Sequence, residues 1–420
     1  MRRRPTPLAG RDVMTTAAVQ QKPRLQFRLR SVPWWARVLA IFVATRIVTT
    51  VILLQFAARQ PATAWSGPSP SYSIFASMWD GAWYHQISIF GYPHTLPLTT
   101  TGHVGENAWA FMPLYPATVQ IVALGTGLDW GTAAVTVSVL CAGAACLVLY
   151  QLFRHSLSES QSLIAVLLFC VAPTSPLLQL AYAESMSMLL IAITLVLLIR
   201  QRWKAVFPVV LLLGLTRPSG LAFAAAMGLY VLYRVFRRAR EPFPKTEWLP
   251  AVALMGWGLI AGLLWPCLAW AVTGSVTAYT DTELAWRAAY IGYQQLLPFT
   301  SWFQGGVWWA NWWFGSSLVG VGLVILLVLL FVGILVAPWT RQLDLFSRAW
   351  VAGYGFYLFA FFFPQSSTFR LLAPMFPLTG ALAVPRSWLF RVVLLVLSVV
   401  GQILWIWTCW IVMYQDWTPP

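Results

Sequence analysis

Leu318-Val319-Gly320-Val321-Gly322-Leu323-Val324-Ile325-Leu326-Leu327-Val328-Leu329-Leu330-Phe331-Val332-Gly333-Ile334-Leu335-Val336 carries no charged or polar side chain. A helix crossing a bilayer needs about 20 mostly apolar residues. In lipid the backbone must satisfy its own hydrogen bonds, so a run of this kind implies a helix. A membrane barrel would instead show strands of about ten residues with alternating polarity. Neither this stretch nor Val393–Val400 alternates.

The same pattern extends outward along the chain. Of its 420 residues, 59% are hydrophobic and 9% are charged, which excludes a soluble domain. Apolar runs and flanking charges predict an all-α polytopic membrane protein with about eleven spans. They fall roughly at 35–57, 131–153, 160–179, 182–200, 204–216, 218–237, 248–273, 316–338, 346–364, 369–385 and 388–412.

A net charge of +15 raises the possibility of a nucleic-acid partner, but the distribution of charge argues against one. The basic residues cluster between spans: Arg200/Arg202/Lys204, Arg234/Arg237/Arg238/Arg240/Lys245, Arg341/Arg348 and Arg386/Arg391. Placing the N-terminus in the cytoplasm puts all these clusters inside, as the positive-inside rule requires. Only Arg46, Arg59, Arg217, Arg287 and Arg370 then lie in the membrane or beyond it. Residues 1–34 read as a disordered basic cytoplasmic tail, 35–412 as the transmembrane domain and 413–420 as a short extracytoplasmic tail. The N-terminal stretch does not resemble a cleaved signal peptide, because its apolar run starts only near Trp35 and is too long. Cys141, Cys146, Cys170, Cys267 and Cys409 lie in apolar segments without CxxC or Cys/His spacing, so neither disulfides nor a metal site is expected. No cofactor is implied, and oligomeric state has no signal in the sequence.

This orientation leaves two long extracytoplasmic segments, 58–130 and 274–315. The end of the first, Phe111–Leu124, is apolar but short and broken by proline; it reads as a helix in the interface or dipping into the bilayer. The second ends in Trp302, Trp308, Trp309, Trp312 and Trp313, which would either anchor the chain at the headgroup level or line a lipid-chain groove. The apolar run 205–236 is interrupted by Thr216-Arg217-Pro218-Ser219-Gly220. Twelve residues before that break reach only about 18 Å, so Arg217 is expected below the outer surface, where an arginine needs an anionic partner.

Asp80 stands in Trp79-Asp80-Gly81-Ala82-Trp83-Tyr84, just after the first span. A carboxylate placed so close to a bilayer is functional by default. Asp80, Glu106, Asp129, Glu184, Asp281, Glu283 and Asp416 all fall outside in this topology. A carboxylate base beside arginines suits transfer of a group off a phosphate: the base takes a hydroxyl proton and the arginines stabilise the departing charge. Gly-rich phosphate loops, GxSxG and HExxH are all absent from the sequence.

Trp79-Asp80-Gly81-Ala82-Trp83-Tyr84-His85-Gln86-Ile87-Ser88 followed by Gly91-Tyr92 resembles the first-loop motif of the PIG-V family of mannosyltransferases, multispanning glycosyltransferases of the GT-C type. Ala110–Pro116, Ala181-Tyr182-Ala183-Glu184-Ser185, Thr216–Gly220 and Phe369-Arg370-Leu371-Leu372-Ala373-Pro374 agree in order, so the likeness covers about 35–385. Met78 departs from the pattern, since family members often carry a basic residue there. The resemblance implies transfer of mannose from polyprenyl-phosphate-mannose to a lipid-linked or glycolipid acceptor at the extracytoplasmic face. Asp80 would be the general base of an inverting displacement. Arg217, Arg370 and His85 would hold the donor phosphate and lipid, and Trp79, Trp83, Tyr84, Tyr115 and Glu184 would line the substrate path.

Plainer roles stand beside each of these. Asp80 could cap a loop helix, Glu184 could serve a helix N-terminus, Arg217 could pair with Glu184, and Arg370 could snorkel. His85 could be a loop histidine. Arg46 is expected to pair inside the bundle. Asp281 and Glu283 read as a solvated loop or, less simply, a cation pair. Two rival functions remain: a transporter or lipid flippase built on the broken helices, and a GT-C enzyme for another sugar such as arabinose. Abundant Ala, Arg, Trp and Val points to a bacterial plasma membrane and a cell-envelope glycolipid.

Overall fold

The computed structural model describes residues 32–413. The tails expected over 1–34 and 413–420 therefore fall almost wholly outside the described residues, as do Asp12 and Asp416. Among the described residues every regular element is helical, apart from one isolated antiparallel bridge between Leu98 and Val104.

Helix α1 (Trp34–Ala57) leads into a long connection holding α2 (Tyr72–Ala76), α3 (Asp80–Phe90) and α4 (Leu114–Thr126). Then come α5 (Trp130–Arg154), α6 (Glu159–Val171), α7 (Glu184–Ile199), α8 (Trp203–Gly214), α9 (Gly220–Arg237) and α10 (Lys245–Thr273). A second connection holds α11 (Ala278–Ile291) and α12 (Ser301–Phe314). The chain continues through α13 (Ser317–Val336), α14 (Leu345–Phe361), α15 (Thr368–Leu371), α16 (Leu378–Leu382) and α17 (Trp388–Trp405), which ends in a π-helical turn, Ile406–Trp410.

Six of these, α1, α5, α9, α10, α13 and the segment Trp388–Trp410, are long and apolar enough to cross a membrane. They give the chain the helices of a polytopic membrane protein. The apolar helices α4, α6, α7 and α8 are shorter. The 12 residues of α8 reach roughly 18 Å, well under a hydrocarbon core of ~30 Å. The span expected over 369–385 is not one helix. It divides into α15, a 3₁₀ turn at Ala373–Met375, and α16, because Pro374 and Pro377 lack the amide hydrogen that would continue the ladder. The span expected over 160–179 likewise stops at Val171, before Pro173 and Pro176, and resumes as a 3₁₀ turn at Ser175–Gln179.

Local sequence explains the boundaries that matter for the site. Ser158 and Gln161 form a reciprocal capping box at the start of α6. Asp129 caps α5 by accepting from the Thr132 amide at 3.0 Å. The break after α6 leaves carbonyls unpaired, and buried Arg46 of α1 takes them up. It donates to the carbonyl of Ser175 at 2.7 Å, to that of Cys170, and to Gln179 Oε1 at 3.2 Å. Arg46 thus pairs inside the bundle with carbonyl and amide oxygens, and it fixes the segment that runs on to Tyr182 and Glu184.

Helix α9 is clamped between α10 and α14 through small residues, the way membrane helices approach closely. A Cβ built on Gly262 of α10 would lie 2.7 Å from the Leu221 amide, and one on Gly353 of α14 would lie 2.4 Å from the Ala226 amide. This contact sets the height of the turn that carries Arg217. In α12, Trp302 and Trp309 donate to the carbonyls of Leu358 and Pro364 at 2.9 and 2.8 Å, while Trp312 and Trp313 face outward. The tryptophan cluster is thus partly bonded to the α14 end of the bundle and partly free to meet lipid headgroups.

Candidate active site

Asp80 opens α3, where a carboxylate gains from the helix dipole. The residue before it, Trp79, has φ +59° and ψ −120°, a backbone conformation that bulky residues adopt only under strain, of order 1–3 kcal/mol. The surroundings hold it there. The Trp79 indole donates to the Trp410 carbonyl at 2.9 Å, its ring packs 4.8 Å from that of Trp65, and the Trp410 indole donates to the Phe75 carbonyl at 3.1 Å. The Asp80 amide donates to the Tyr182 hydroxyl at 3.2 Å. Trp79 is therefore a strut that aims Asp80.

Glu184 opens α7. Arg217 occupies the turn between α8 and α9, which the Leu114 amide ties to the first connection by donating to the Leu215 carbonyl at 3.0 Å. Arg370 rides on α15, its guanidinium 5.2 Å above the Tyr182 ring.

These four charged residues, distant in sequence, meet. Asp80 Oδ2 accepts from Arg370 Nη1 and from Arg217 Nη2, the latter at 3.4 Å. Glu184 Oε1 accepts from Arg217 Nη2 and lies 3.5 Å from Arg370 Nε. Side-chain exposure is 13% for Asp80, 5% for Glu184, 15% for Arg217 and 10% for Arg370, so water does little to screen them. Two negative and two positive charges cancel, which is what makes such burial tolerable.

The cluster keeps unused hydrogen-bonding capacity. Among the described residues, Asp80 Oδ1 makes no hydrogen bond, and the buried Glu184 Oε2, Arg370 Nε and Tyr84 hydroxyl have no hydrogen-bond partner. A buried group left unsatisfied costs about 1–3 kcal/mol. Orphans gathered at one place mark a position suited to receiving a polar ligand.

Aromatic side chains form the adjoining wall. Trp83 stacks on Phe111 with centroids 5.6 Å apart, and Trp286 of α11 meets Trp83 edge-on at 5.8 Å and Phe111 at 5.9 Å. Tyr84 packs edge-on against Phe111 and Tyr115, at 5.4 and 5.1 Å.

The expected site residues therefore separate. Asp80, Glu184, Arg217 and Arg370 come together, with Tyr84 beside them and Trp83 in the wall. Tyr115 does not line a path: it is fully buried, and its hydroxyl bonds the Ala134 carbonyl at 3.0 Å and Ser138 Oγ at 2.9 Å. His85 is not brought to the arginines. Five residues along α3 it points well away from Asp80, stacks on Trp130 at 4.8 Å, and opens on a separate cavity of about 320 Å³ with Trp65, Ser73, Ser77 and Asp129. Partial desolvation there lowers its basicity.

Two further residues are not among the expected site residues. Tyr182 supports Asp80 and Arg370 at once; its signal was its place two residues before Glu184 in a motif stretch. Glu283, expected in a solvated loop, is half-buried on α11, between Tyr279 one turn before and Trp286 one turn after. Asn107 Nδ2 pins this helix by donating to Thr282 Oγ1 at 2.8 Å. Asp281 points to a different side of the helix, so the two acids form no pair. Burial pushes the Glu283 carboxyl up to about 7, although the Tyr279 hydroxyl, Arg217 and Arg370 pull it down while Asp80 raises it. In comparisons with known proteins, the chain matches no family model and no curated protein.

Proposed function

We propose that this chain is a GT-C-type membrane glycosyltransferase that moves mannose from polyprenyl-phosphate-mannose to a lipid-linked or glycolipid acceptor. The observation that carries the reading is the buried cluster in which Arg217 and Arg370 meet Asp80, with one Asp80 oxygen left over. In this scheme the acceptor hydroxyl attacks the anomeric carbon, and its proton passes to Asp80 Oδ1. The bond from the anomeric carbon to phosphate oxygen breaks on the opposite side, inverting the configuration. The polyprenyl phosphate departs with the bonding electrons, and Arg217 and Arg370 stabilise its charge. The aromatic wall of Trp83, Phe111 and Trp286 excludes water from the reacting atoms. The charge distribution between spans supports a cytoplasmic N-terminus, which puts the cluster on the extracytoplasmic side, and composition favours a bacterial plasma membrane.

The test is transfer by purified protein in detergent from a panel of polyprenyl-phosphate sugars, with products identified by mass. Mannose transfer by the unsubstituted protein that is lost in Asp80→Asn supports the reading; the transfer of another sugar alone, such as arabinose, redirects it. A second reading, a transporter or flippase, draws on the convergence of three interrupted segments, 172–183, 215–219 and 362–377, at the charged cluster. Product formation without any ion gradient excludes it.

A further inference from the structure

A second concave site lies behind α3, between α2 and the start of α5. It is the cavity of about 320 Å³ onto which His85 opens, at the small end of the roughly 300–1,000 Å³ seen for ligand pockets. Trp65 and Trp130 supply apolar wall, and Ser73, Ser77, His85 and Asp129 supply polar groups. Three oxygens converge around Gly131 at its edge. A Cβ built on Gly131 would lie 3.1 Å from Ser77 Oγ, 3.3 Å from the Ser73 carbonyl oxygen and 3.4 Å from Asp129 Oδ1.

Hydrogen-bonding capacity in this cavity is only partly used. Asp129 caps α5 by accepting from the Thr132 amide at 3.0 Å, yet an ionised carboxylate offers about four acceptor positions. Among the described residues Asp129 forms no ion pair. His85 is held by stacking on Trp130 at 4.8 Å, and its ring nitrogens bond no protein group among the described residues. Trp130 is 8% exposed, and among the described residues its indole N–H has no hydrogen-bond partner.

These groups select a ligand class by elimination. No arginine or lysine lines the cavity, and the full charge of Asp129 exceeds the roughly half positive charge at the N-terminus of α5, so an anion is repelled. An ammonium group only donates hydrogen bonds and would leave the imidazole and indole N–H groups unmatched. A sugar hydroxyl both donates and accepts, so it suits the carboxylate and the imidazole together, while the C–H face of the ring suits aromatic carbon.

We infer that this cavity binds one uncharged sugar ring, on a free glycan or on the headgroup of a glycolipid, at a site separate from the charged cluster. Asp129 and His85 hold its hydroxyls. His85 stands five residues beyond Asp80 on α3, about 7.5 Å along the axis and about 140° around it, so a ring held here is bound and not transformed. The inference goes beyond the transferase reading and stands without it.

The experiment uses the whole protein in nanodiscs free of glycolipids and of glycoside detergents. Methyl α-mannopyranoside is titrated by ligand-observed NMR, with its uronic acid counterpart and choline in parallel. The neutral sugar should bind about fivefold or more weakly to His85→Ala and to Asp129→Asn, the size expected for one lost hydrogen bond, and equally well to Asp80→Asn. Asn still caps a helix, so Asp129→Asn keeps α5 intact while removing the charge. Preference for the neutral sugar over the acid, about fivefold or more in the unsubstituted protein, should fall to near one in that variant. Adding a neutral hexosyl-diacylglycerol to the nanodisc separates the two sources. Competition with the free glycoside places the lipid headgroup in the cavity; binding of the glycoside without competition assigns the cavity to free glycans. Sugar binding unchanged in both His85→Ala and Asp129→Asn, binding lost in Asp80→Asn instead, tighter binding of choline or of the acid, or no binding of either sugar probe overturns the inference. None of these outcomes bears on transfer, which is read from product formation, and a failure of transfer leaves the sugar site standing.

Discussion

Arg217 joins Asp80 to Glu184: its Nη2 reaches Asp80 Oδ2 at 3.4 Å and also donates to Glu184 Oε1. A single guanidinium thus links the first connection, the start of α7 and the α8–α9 turn. Arg370 repeats the link from α15. Neither carboxylate would be tolerable at this depth without those cations, and each cation is anchored by both acids. The arrangement ties the folding of four chain segments to the assembly of one charged enclosure.

Replacing Asp80 by Asn keeps an acceptor for the arginines but removes the proton acceptor. Transfer should fall by about 10²–10⁴-fold, the usual worth of a general base. The thermal melting profile in detergent should change far less than the rate. A variant that transfers at near-normal rate would remove Asp80 from the chemistry.

Arg217→Ala removes the closer of two cations from Glu184, 4% exposed as a residue, and leaves it only Arg370 Nε at 3.5 Å. Breaking a buried pair in this way costs about 3–5 kcal/mol. Adding Glu184→Gln should recover much of that stability without restoring transfer. Melting of the two single variants and the double variant gives the coupling directly; strict additivity would mean the pair does not stabilise the fold.

Gly353→Val puts side-chain atoms where a Cβ alone comes 2.4 Å from the Ala226 amide. Helix α14 must then separate from α9, at a cost of about 1–3 kcal/mol or more. Since α9 sets the position of Arg217, transfer should fall along with stability. Unchanged melting would show that the helices are not in close contact.

Stability should also vary with pH through Glu283. Burial raises its carboxyl from an ordinary 4.5 to about 7, so the folded chain holds this proton more tightly than the unfolded chain does. The stabilisation from this group is complete below about 4.5 and is lost as pH rises through about 7. Melting temperatures measured between pH 5 and 8 should therefore slope downward more steeply for the unsubstituted protein than for Glu283→Gln. Identical slopes would contradict the raised carboxyl.

The long helices were legible because hydrocarbon thickness dictates their length. The run read as 316–338 is α13 at Ser317–Val336, and the run read as 131–153 is α5 at Trp130–Arg154. Segments of intermediate hydropathy were harder. Residues 369–385 are apolar enough to suggest a span, yet Pro374 and Pro377 turn them into short pieces that deliver Arg370 to Asp80. His85 adjoins Tyr84 in the motif, but neighbours on a helix point about 100° apart, so proximity in sequence misplaced it.

The sequence by itself determined a helical membrane class and pointed to Asp80, Glu184, Arg217 and Arg370 as charges set in or beside the membrane, because both follow from the price of placing polar groups in lipid. Only the tertiary structure decided that Asp80 and Glu184 share both arginines, that His85 looks elsewhere, and that Glu283 lies half-buried on a helix. Those relations depend on which distant segments meet, and that is set by close packing of small residues such as Gly262 and Gly353 and by mutual cancellation of buried charge.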